Sequence, residues 1–507
     1  MKNKAKNIMF QGTGSSVGKS LLTAGICRIL RDRGFRVAPY KSQNMALNSY
    51  ITADGKEMGR AQVVQAECAG IEPRVEMNPV LLKPNTDIGS QVILMGKAEF
   101  NMDATDYHAY KAKLAGVVME AYNRLAEDYE IIAIEGAGSP AEINLRENDI
   151  VNMGLAEMVD APVILIGDID RGGVFASLYG TVMLLEPEER ARIKGFIINK
   201  FRGDVALLQP GIEMLEEKIN IPCLGVIPYE RLIIDDEDSV TERWIEKKEG
   251  SLTIGVVRLR HISNFTDCTV FDMYPDVNVE YYDNQRALHR ADPDLLVIPG
   301  SKNTIDDVIK LRESRLADEI IKKHEAGVPI IGICGGYQII GREILDPHHV
   351  ESHRERVEGL GLLDMITVLE AEKTTTRIEG TMVSNFLDMD MAGCPVAGYE
   401  IHMGETTPSG EVTRFAALED GRSDGGVSAD GMVMGTYLHG VFDNDDFRDK
   451  LLKALAKRKK EKLGETFVYD DAGRIDFQAF KESQYDLLAQ SIEKNMDIPR
   501  LLEIIGV

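Results

Sequence analysis

Several things are scarce in this 507-residue chain. Its six cysteines (Cys27, Cys68, Cys223, Cys268, Cys334 and Cys394) are scattered without CxxC pairing or regular spacing, which argues against a disulfide framework and a zinc site. No stretch reaches about 18 uninterrupted apolar residues. Met1 to Phe10 carries three lysines with no apolar segment behind them. Neither a membrane span nor a secretory leader is expected, and the chain reads as cytoplasmic. Basic charge is in deficit: 58 Lys plus Arg face 82 Asp plus Glu, for a net −24. A nucleic-acid binder needs a basic face, so that class is excluded. Internal repeats and low-complexity tracts are absent as well.

What is present is ordinary globular material, 44% hydrophobic and 28% charged, in a length that implies two or more domains. The charge is uneven. Residues 1–100 carry 14 basic and 8 acidic side chains, a balance of +6 that leaves −30 for the rest. Something anionic is expected to be handled near the N-terminus.

Short apolar runs at Asn7–Gln11, Glu130–Ile134, Pro162–Gly167 and Ile193–Asn199 alternate with helix-length amphipathic stretches. Continuous rather than alternating hydrophobicity predicts a parallel sheet covered on both faces. After Pro228 the sequence turns highly charged, predicting a linker at 235–250. A second series follows, with strands expected at Thr253–Arg258, Leu295–Pro299, Pro329–Ile333 and Gly435–Tyr437. The chain is therefore read as α/β, with two doubly wound parallel-sheet domains at 1–234 and 251–446. A helical extension is expected over 447–507.

Residues 8–20, IMFQGTGSSVGKS, run from an apolar strand into a glycine-rich turn and then a helix-prone segment. Glycines let backbone N–H groups wrap phosphate oxygens, Lys19 adds a cation, and the Ser20 hydroxyl suits Mg²⁺. The pattern departs from G-x-x-x-x-G-K-[ST], since Thr13 stands where the first glycine is expected and the glycine is Gly12. This form resembles the loop of dethiobiotin synthetase and its relatives, ATP-dependent ligases that activate carboxylates. The resemblance implies nucleotide contacts from Gly12, Thr13, Gly14, Ser15, Val17, Gly18, Lys19 and Ser20. It also assigns adenine-side segments to Asn199 and to the stretch ending at Tyr229. Glu135, ending its strand, and Asp54 are candidate Mg²⁺ ligands beside Ser20. Asp168 and Asp170 leave the end of another strand, where ligands of open α/β sheets gather, although helix capping is an equal reading.

Residues 328–341, VPIIGICGGYQIIG, present a strand, a tight turn centred on Cys334 and a helix-like segment. Gly332, Gly335 and Gly336 supply the small residues a nucleophile elbow needs, and a helix N-terminus aimed at the thiol favours thiolate. The stretch resembles the nucleophile motif of class I, triad-type glutamine amidotransferases, whose domain is flavodoxin-like. That resemblance implies Cys334 as nucleophile, Gln338 and Gly335 at the glutamine site, and an oxyanion contact from Gly300 or Ser301 in PGSKNT. It also implies His439 in GTYLHGVFDN as general base. The family carries glutamate two residues after that histidine, whereas here the residue is Val441. His348, His349 and His353 sit in a polar segment and read as a surface cluster rather than a metal site. His402 carries no assigned role.

A carboxylate-activating ATP site joined to a glutaminase implies an amide synthetase. The block KSQNMALNS-x₅-GKEMGRAQVVQA (Lys41–Ala66) resembles the cobyric acid synthase family, glutamine-hydrolysing, ATP-dependent enzymes of cobalamin biosynthesis, over nearly the whole chain. The resemblance implies ATP, glutamine and a corrin a,c-diamide as small-molecule substrates. It implies Mg²⁺ and no tightly bound cofactor, and leaves monomer or homo-oligomer open. Lys41, Asn44, Arg60, Asp168 and Arg171, with Lys83 and Lys97, are candidates for holding the carboxylate-rimmed corrin. Three other readings share parts of the pattern: a cobyrinic acid a,c-diamide synthase, a ligase for a non-corrin carboxylate, and a partitioning-type ATPase with an inactive amidotransferase appendage. The Ser42-Gln43-Asn44-Met45 run after Lys41 favours the first-named family over the a,c-diamide synthase.

Overall fold

Six parallel strands make the first sheet of the computed structural model, which describes residues 5–84, 89–235, 251–464 and 475–507. Their order is Cys223–Pro228, Ile193–Phe201, Val163–Asp168, Lys6–Gly12, Ile131–Glu135 and Val37–Tyr40. Ile8 to Phe10, Ile131 to Ile134 and Val163 to Ile166 are completely buried. That is why these strands read as unbroken apolar runs: both faces of the sheet are covered. The strand ends carry Gly12, Glu135 and Asp168 out of the core at the same edge, where parallel α/β sheets bind ligands.

The second sheet has seven strands among the described residues. It runs Val277–Tyr282, Leu252–Val257, Leu295–Ile298, Ile330–Ile333, Val433–Thr436, Gly426–Ser428 and Val412–Thr413. The first five are parallel, and the last two add antiparallel edges. A long antiparallel ribbon, Met365–Met382 with Pro395–Pro408, completes this part. The sequence reading assigned no strands there. Much of the ribbon, such as Lys373–Arg377, is polar and half-buried or exposed, so it lacks the apolar signature by which the other strands were found.

The molecule divides into two units along unexpected lines. One gathers the described residues of Met1–Ala46, Glu57–Glu237 and Lys481–Val507; the other gathers those of Leu47–Lys56 and Asp238–Phe480. Apart from Asp235, the linker expected at 235–250 lies outside the described residues. The expected C-terminal extension is shared between the two cores. Phe447, Leu451, Leu452 and Leu455 of the helix Asp445–Leu463 join the second core. Tyr485, Leu488, Ile492, Leu501 and Ile505 join the first. Gly25 allows that last contact, since a Cβ there would come within 2.3 Å of Ile492 Cδ1. Buried Arg28 fixes the same helix by bonds to Asp486 and Glu482. Among the described residues no helix is long and apolar enough to cross a membrane.

Because Ile492 is fully buried in the first core, Ile492→Ala is expected to cost about 2–5 kcal/mol. In urea unfolding followed on the full chain, the transition of the nucleotide unit should move to lower denaturant while that of the second unit stays. An unchanged first transition would detach the C-terminal segment from that core.

Candidate active site

The phosphate loop closes around Lys19. Gly18, at φ +96°, turns the chain into the helix Lys19–Asp32; that left-handed conformation is open to glycine at little cost. Lys19 is buried and its Nζ donates to the carbonyls of Gly14 at 2.9 Å and Gly138 at 3.1 Å, so the ammonium lies across the loop mouth. Asn199 Nδ2 donates to the Val17 carbonyl at 2.8 Å, tying the loop to the neighbouring strand. Lys200 Nζ donates to the Ser16 carbonyl at 2.7 Å and pairs with Asp168 at 3.1 Å. The Arg202 guanidinium lies 3.5 Å from the Tyr229 ring centroid and bonds Asp170.

Glu135 is the focus of this unit. Its carboxylate is 1% exposed, yet it accepts from Ser20 Oγ at 2.8 Å, Lys41 Nζ at 2.9 Å and Gln65 Nε2 at 2.6 Å. Gln62 Nε2 stands at 3.4 Å. A buried carboxylate is tolerated only with such partners. Oxygen donors from Ser20 and Glu135, side by side at the loop, suit a hard cation. Asp54, the other acidic candidate, is grouped with the second unit, where it accepts from Thr52 and pairs with Lys56 at 2.8 Å.

The proposed corrin residues divide by exposure. Lys41 is committed to Glu135, and Asn44 Nδ2 donates to Gln62 Oε1 at 2.9 Å. Arg60 pairs with Asp235 at 2.6 Å, Lys83 with Glu57 at 2.8 Å, and both cations are buried. Arg171 and Lys97 are exposed.

In the second unit the strand Ile330–Ile333 ends at Cys334, held at φ +51°, ψ −109°, directly before the helix Gly335–Ile340. A non-glycine residue in that region is strained, as an elbow nucleophile is. The flanking glycines are required by closeness: a Cβ on Gly336 would fall 1.8 Å from the Ile298 carbonyl oxygen, and one on Gly335 2.6 Å from the Ser301 nitrogen. The short strand Gly300–Ser301 thus lies against the elbow. Gln338 is buried, bonded by Thr304 Oγ1 at 3.0 Å and donating to the Tyr437 hydroxyl at 3.2 Å. Cys334 Sγ lies 3.5 Å from the Ile401 carbonyl.

His439 is buried, with Nδ1 2.8 Å from Asp267 Oδ2, while Asp267 Oδ1 accepts the Gly440 N–H at 2.9 Å. Its Nε2 is buried with no hydrogen-bond partner among the described residues. Burial opposes a charged imidazole, but the Asp267 carboxylate and Cys334 overcome it and raise the histidine pKa to about 10. The ring is therefore an imidazolium at neutral pH, fixed in orientation by the aspartate. Asp267 supplies the orienting carboxylate that position 441, a valine here, does not. Nothing in HISNFTDC marks it, because the partner is 172 residues away in sequence and the contact exists only in the fold.

His402 stacks on Tyr437 with centroids 3.7 Å apart and bonds the Gly404 carbonyl through Nδ1. It packs against the residue whose hydroxyl accepts from Gln338. His348, His349 and His353 are exposed, and no metal-competent cluster occurs among the described residues.

The folded state keeps the His439 proton up to about pH 10, against 6.5 for an ordinary histidine. Its contribution to stability is thus complete below pH 6.5 and is lost as pH climbs toward 10. Asp267→Asn should bring the titration of this ring down and lower kcat for glutamine hydrolysis roughly 10²–10⁴-fold. Histidine NMR titration and the pH–rate profile check both; an unmoved pKa would remove Asp267 from the site.

Comparison with known proteins agrees with this geometry. Residues 8–240 match the CobQ/CobB/MinD/ParA nucleotide binding domain, and residues 253–447 the CobB/CobQ-like glutamine amidotransferase domain. The chain is 50% identical to a cobyric acid synthase of Alkaliphilus metalliredigens, over 98% of this chain and 99% of that one. It is 51% identical to one of Salmonella typhimurium, over 98% of each. One from Photorhabdus laumondii is 50% identical, over 98% of this chain and 97% of its own. A nucleotide binding domain and a glutamine amidotransferase domain in one polypeptide make this a glutamine-dependent amidotransferase ligase, and the chain belongs to the cobyric acid synthase family.

Proposed function

We propose that the protein amidates the b, d, e and g carboxylates of (adenosyl)cobyrinic acid a,c-diamide, using ATP and glutamine, through acyl-phosphate intermediates. The observation that carries this reading is 50% identity over 98% of the chain to a relative bearing the cobyric acid synthase name, in a chain that keeps both reactive sites.

ATP lies on Gly12–Ser20 with Lys19 facing the terminal phosphates and Asn199 on the adenine side. Ser20 and Glu135 would hold Mg²⁺, which would neutralise charge on the phosphate oxygens. A corrin carboxylate oxygen attacks the γ-phosphorus and ADP leaves. Lys19 stabilises the charge on the transferred oxygens. Ammonia then attacks the acyl carbon, phosphate departs with one former carboxylate oxygen, and the nitrogen releases a proton. Exposed Arg171 and Lys97 can meet corrin carboxylates without breaking an ion pair.

The ammonia comes from glutamine. The Cys334 thiolate attacks the side-chain amide carbon, and backbone N–H groups of Ser301 and Gly335 receive the oxyanion. The His439 imidazolium gives its proton to the departing nitrogen. The now neutral ring takes a proton from the water that hydrolyses the thioester, and glutamate leaves. Asp267 keeps the ring oriented through both transfers.

Incubation with the a,c-diamide, ATP, Mg²⁺ and glutamine should yield cobyric acid by mass spectrometry. An unaltered diamide, or amidation of cobyrinic acid itself at a and c only, would contradict the assignment. Cys334→Ala should abolish glutamine-supported synthesis and leave ammonia-supported synthesis near wild type; equal loss of both would sink the nucleophile. Lys19→Ala should remove synthesis from either nitrogen source, and normal amidation in that variant would refute the phosphate loop.

A further inference from the structure

Four lysines are buried among the described residues: Lys19, Lys41, Lys83 and Lys111. Three of them are held by the protein. Lys19 donates to two loop carbonyls, Lys41 to Glu135 and Lys83 to Glu57. Lys111, on the helix Ala104–Asp128, is 8% exposed and makes no hydrogen bond or ion pair among the described residues. Burial lowers its pKa from the ordinary 10.5, and Asp149 opposes that shift from beyond ion-pair range. Asp149 is occupied elsewhere, its oxygens accepting the N–H groups of Val151, Asn152 and Gly154 at 2.8 to 3.0 Å. Glu76, on the neighbouring turn Val75–Met77, pairs with Arg74 and Arg124.

This lysine stands beside the phosphate loop. Residues 136–152 run from the end of the Glu135 strand to the helix Met153–Val159. Within that stretch the Gly138 carbonyl accepts from Lys19 Nζ at 3.1 Å, the Ala137 carbonyl from Asn152 Nδ2 at 2.6 Å, and the Ile150 carbonyl from Ser42 Oγ at 2.7 Å. One end of the stretch therefore touches Lys19, and the other carries Asp149, the charge that acts on Lys111. All of these residues belong to the nucleotide unit.

We propose that Lys111 binds a carboxylate of the corrin substrate alongside the phosphate loop, and so selects corrins that still carry that carboxylate. The proposal rests on the amide-synthetase reading above. An ammonium kept from water without a counter-ion is destabilising, and an arriving anion offsets that penalty. The phosphates of ATP are the other source of negative charge, but Lys19 and the N–H groups of the loop already serve them. Lys111 lies across the 136–152 stretch from Lys19, which leaves it for the second substrate. Once a carboxylate has become an amide its charge is gone, and the buried lysine is again without a counter-ion. A desolvated ammonium makes this distinction more strongly than exposed Arg171 or Lys97, because water weakens their attraction.

The test uses the full-length enzyme and equilibrium dialysis read by corrin absorbance. It compares the a,c-diamide with cobyric acid, which lacks the b, d, e and g charges. Lys111→Gln should weaken a,c-diamide binding about 10- to 100-fold, with cobyric acid binding and ATP affinity little changed. Lys111→Arg, which keeps the charge, should restore most of the affinity. Lys111→Met should weaken the a,c-diamide as Gln does, yet move urea unfolding of the nucleotide unit to higher denaturant, because an unpaired buried charge is removed. It decides the matter if Lys111→Gln fails to fold. Unchanged a,c-diamide affinity in the Gln and Met variants, or equal loss for both corrins, overturns the proposal. Weaker ATP binding with a,c-diamide binding intact assigns the lysine to the nucleotide and overturns it too. Failure of the wild type to bind or amidate the a,c-diamide would instead strike the reading on which the proposal rests.

Discussion

A single buried carboxylate organises the nucleotide unit. Glu135 closes its strand with no access to solvent and survives there because Ser20, Lys41 and Gln65 each bring a donor. Those donors come from the helix after the phosphate loop, from the chain following the edge strand, and from the helix Arg60–Ala69. The anion therefore fixes three separate segments at the loop mouth. Its burial also sets how it reacts: removing one donor leaves an uncompensated charge, so an incoming phosphate or cation must replace a partner as it displaces one.

The glutaminase solves a matching problem with opposite sign. His439 is buried as a cation because Asp267 and Cys334 face it. An elbow strained at Cys334 holds the thiol, and Tyr399 and Ile401 hold the pair from the other side. In both units the buried charge is kept out of water by partners that the fold holds in place, which is the arrangement that lowers reorganisation during reaction.

The parallel strands were legible in the sequence because full burial writes unbroken apolar runs, and the phosphate loop and elbow because each packs its chemistry into a few consecutive residues. What escaped was long-range. Asp267 reaches His439 across 172 residues. Arg28 and Gly25 receive a helix from the far end of the chain. Lys41, Asn44 and Arg60, read as groups for an anionic substrate, are committed to protein partners that no local pattern names. The ribbon Met365–Met382 with Pro395–Pro408 was missed because much of it is polar and partly exposed, so its residues carry little apolar patterning. The +6 of the first hundred residues turns out to be spent in part on internal carboxylates, Glu135 and Asp235 among them, rather than wholly on ligands.

The central claim is that the Glu135 site transfers the γ-phosphoryl group to a carboxylate before nitrogen arrives. It is tested most directly with a corrin a,c-diamide carrying ¹⁸O in its free carboxylates, turned over with ATP and glutamine. The account predicts one ¹⁸O atom in inorganic phosphate for every amide formed, since the oxygen that attacks phosphorus leaves with it. Recovery of the label in AMP, or its absence from phosphate, would contradict it.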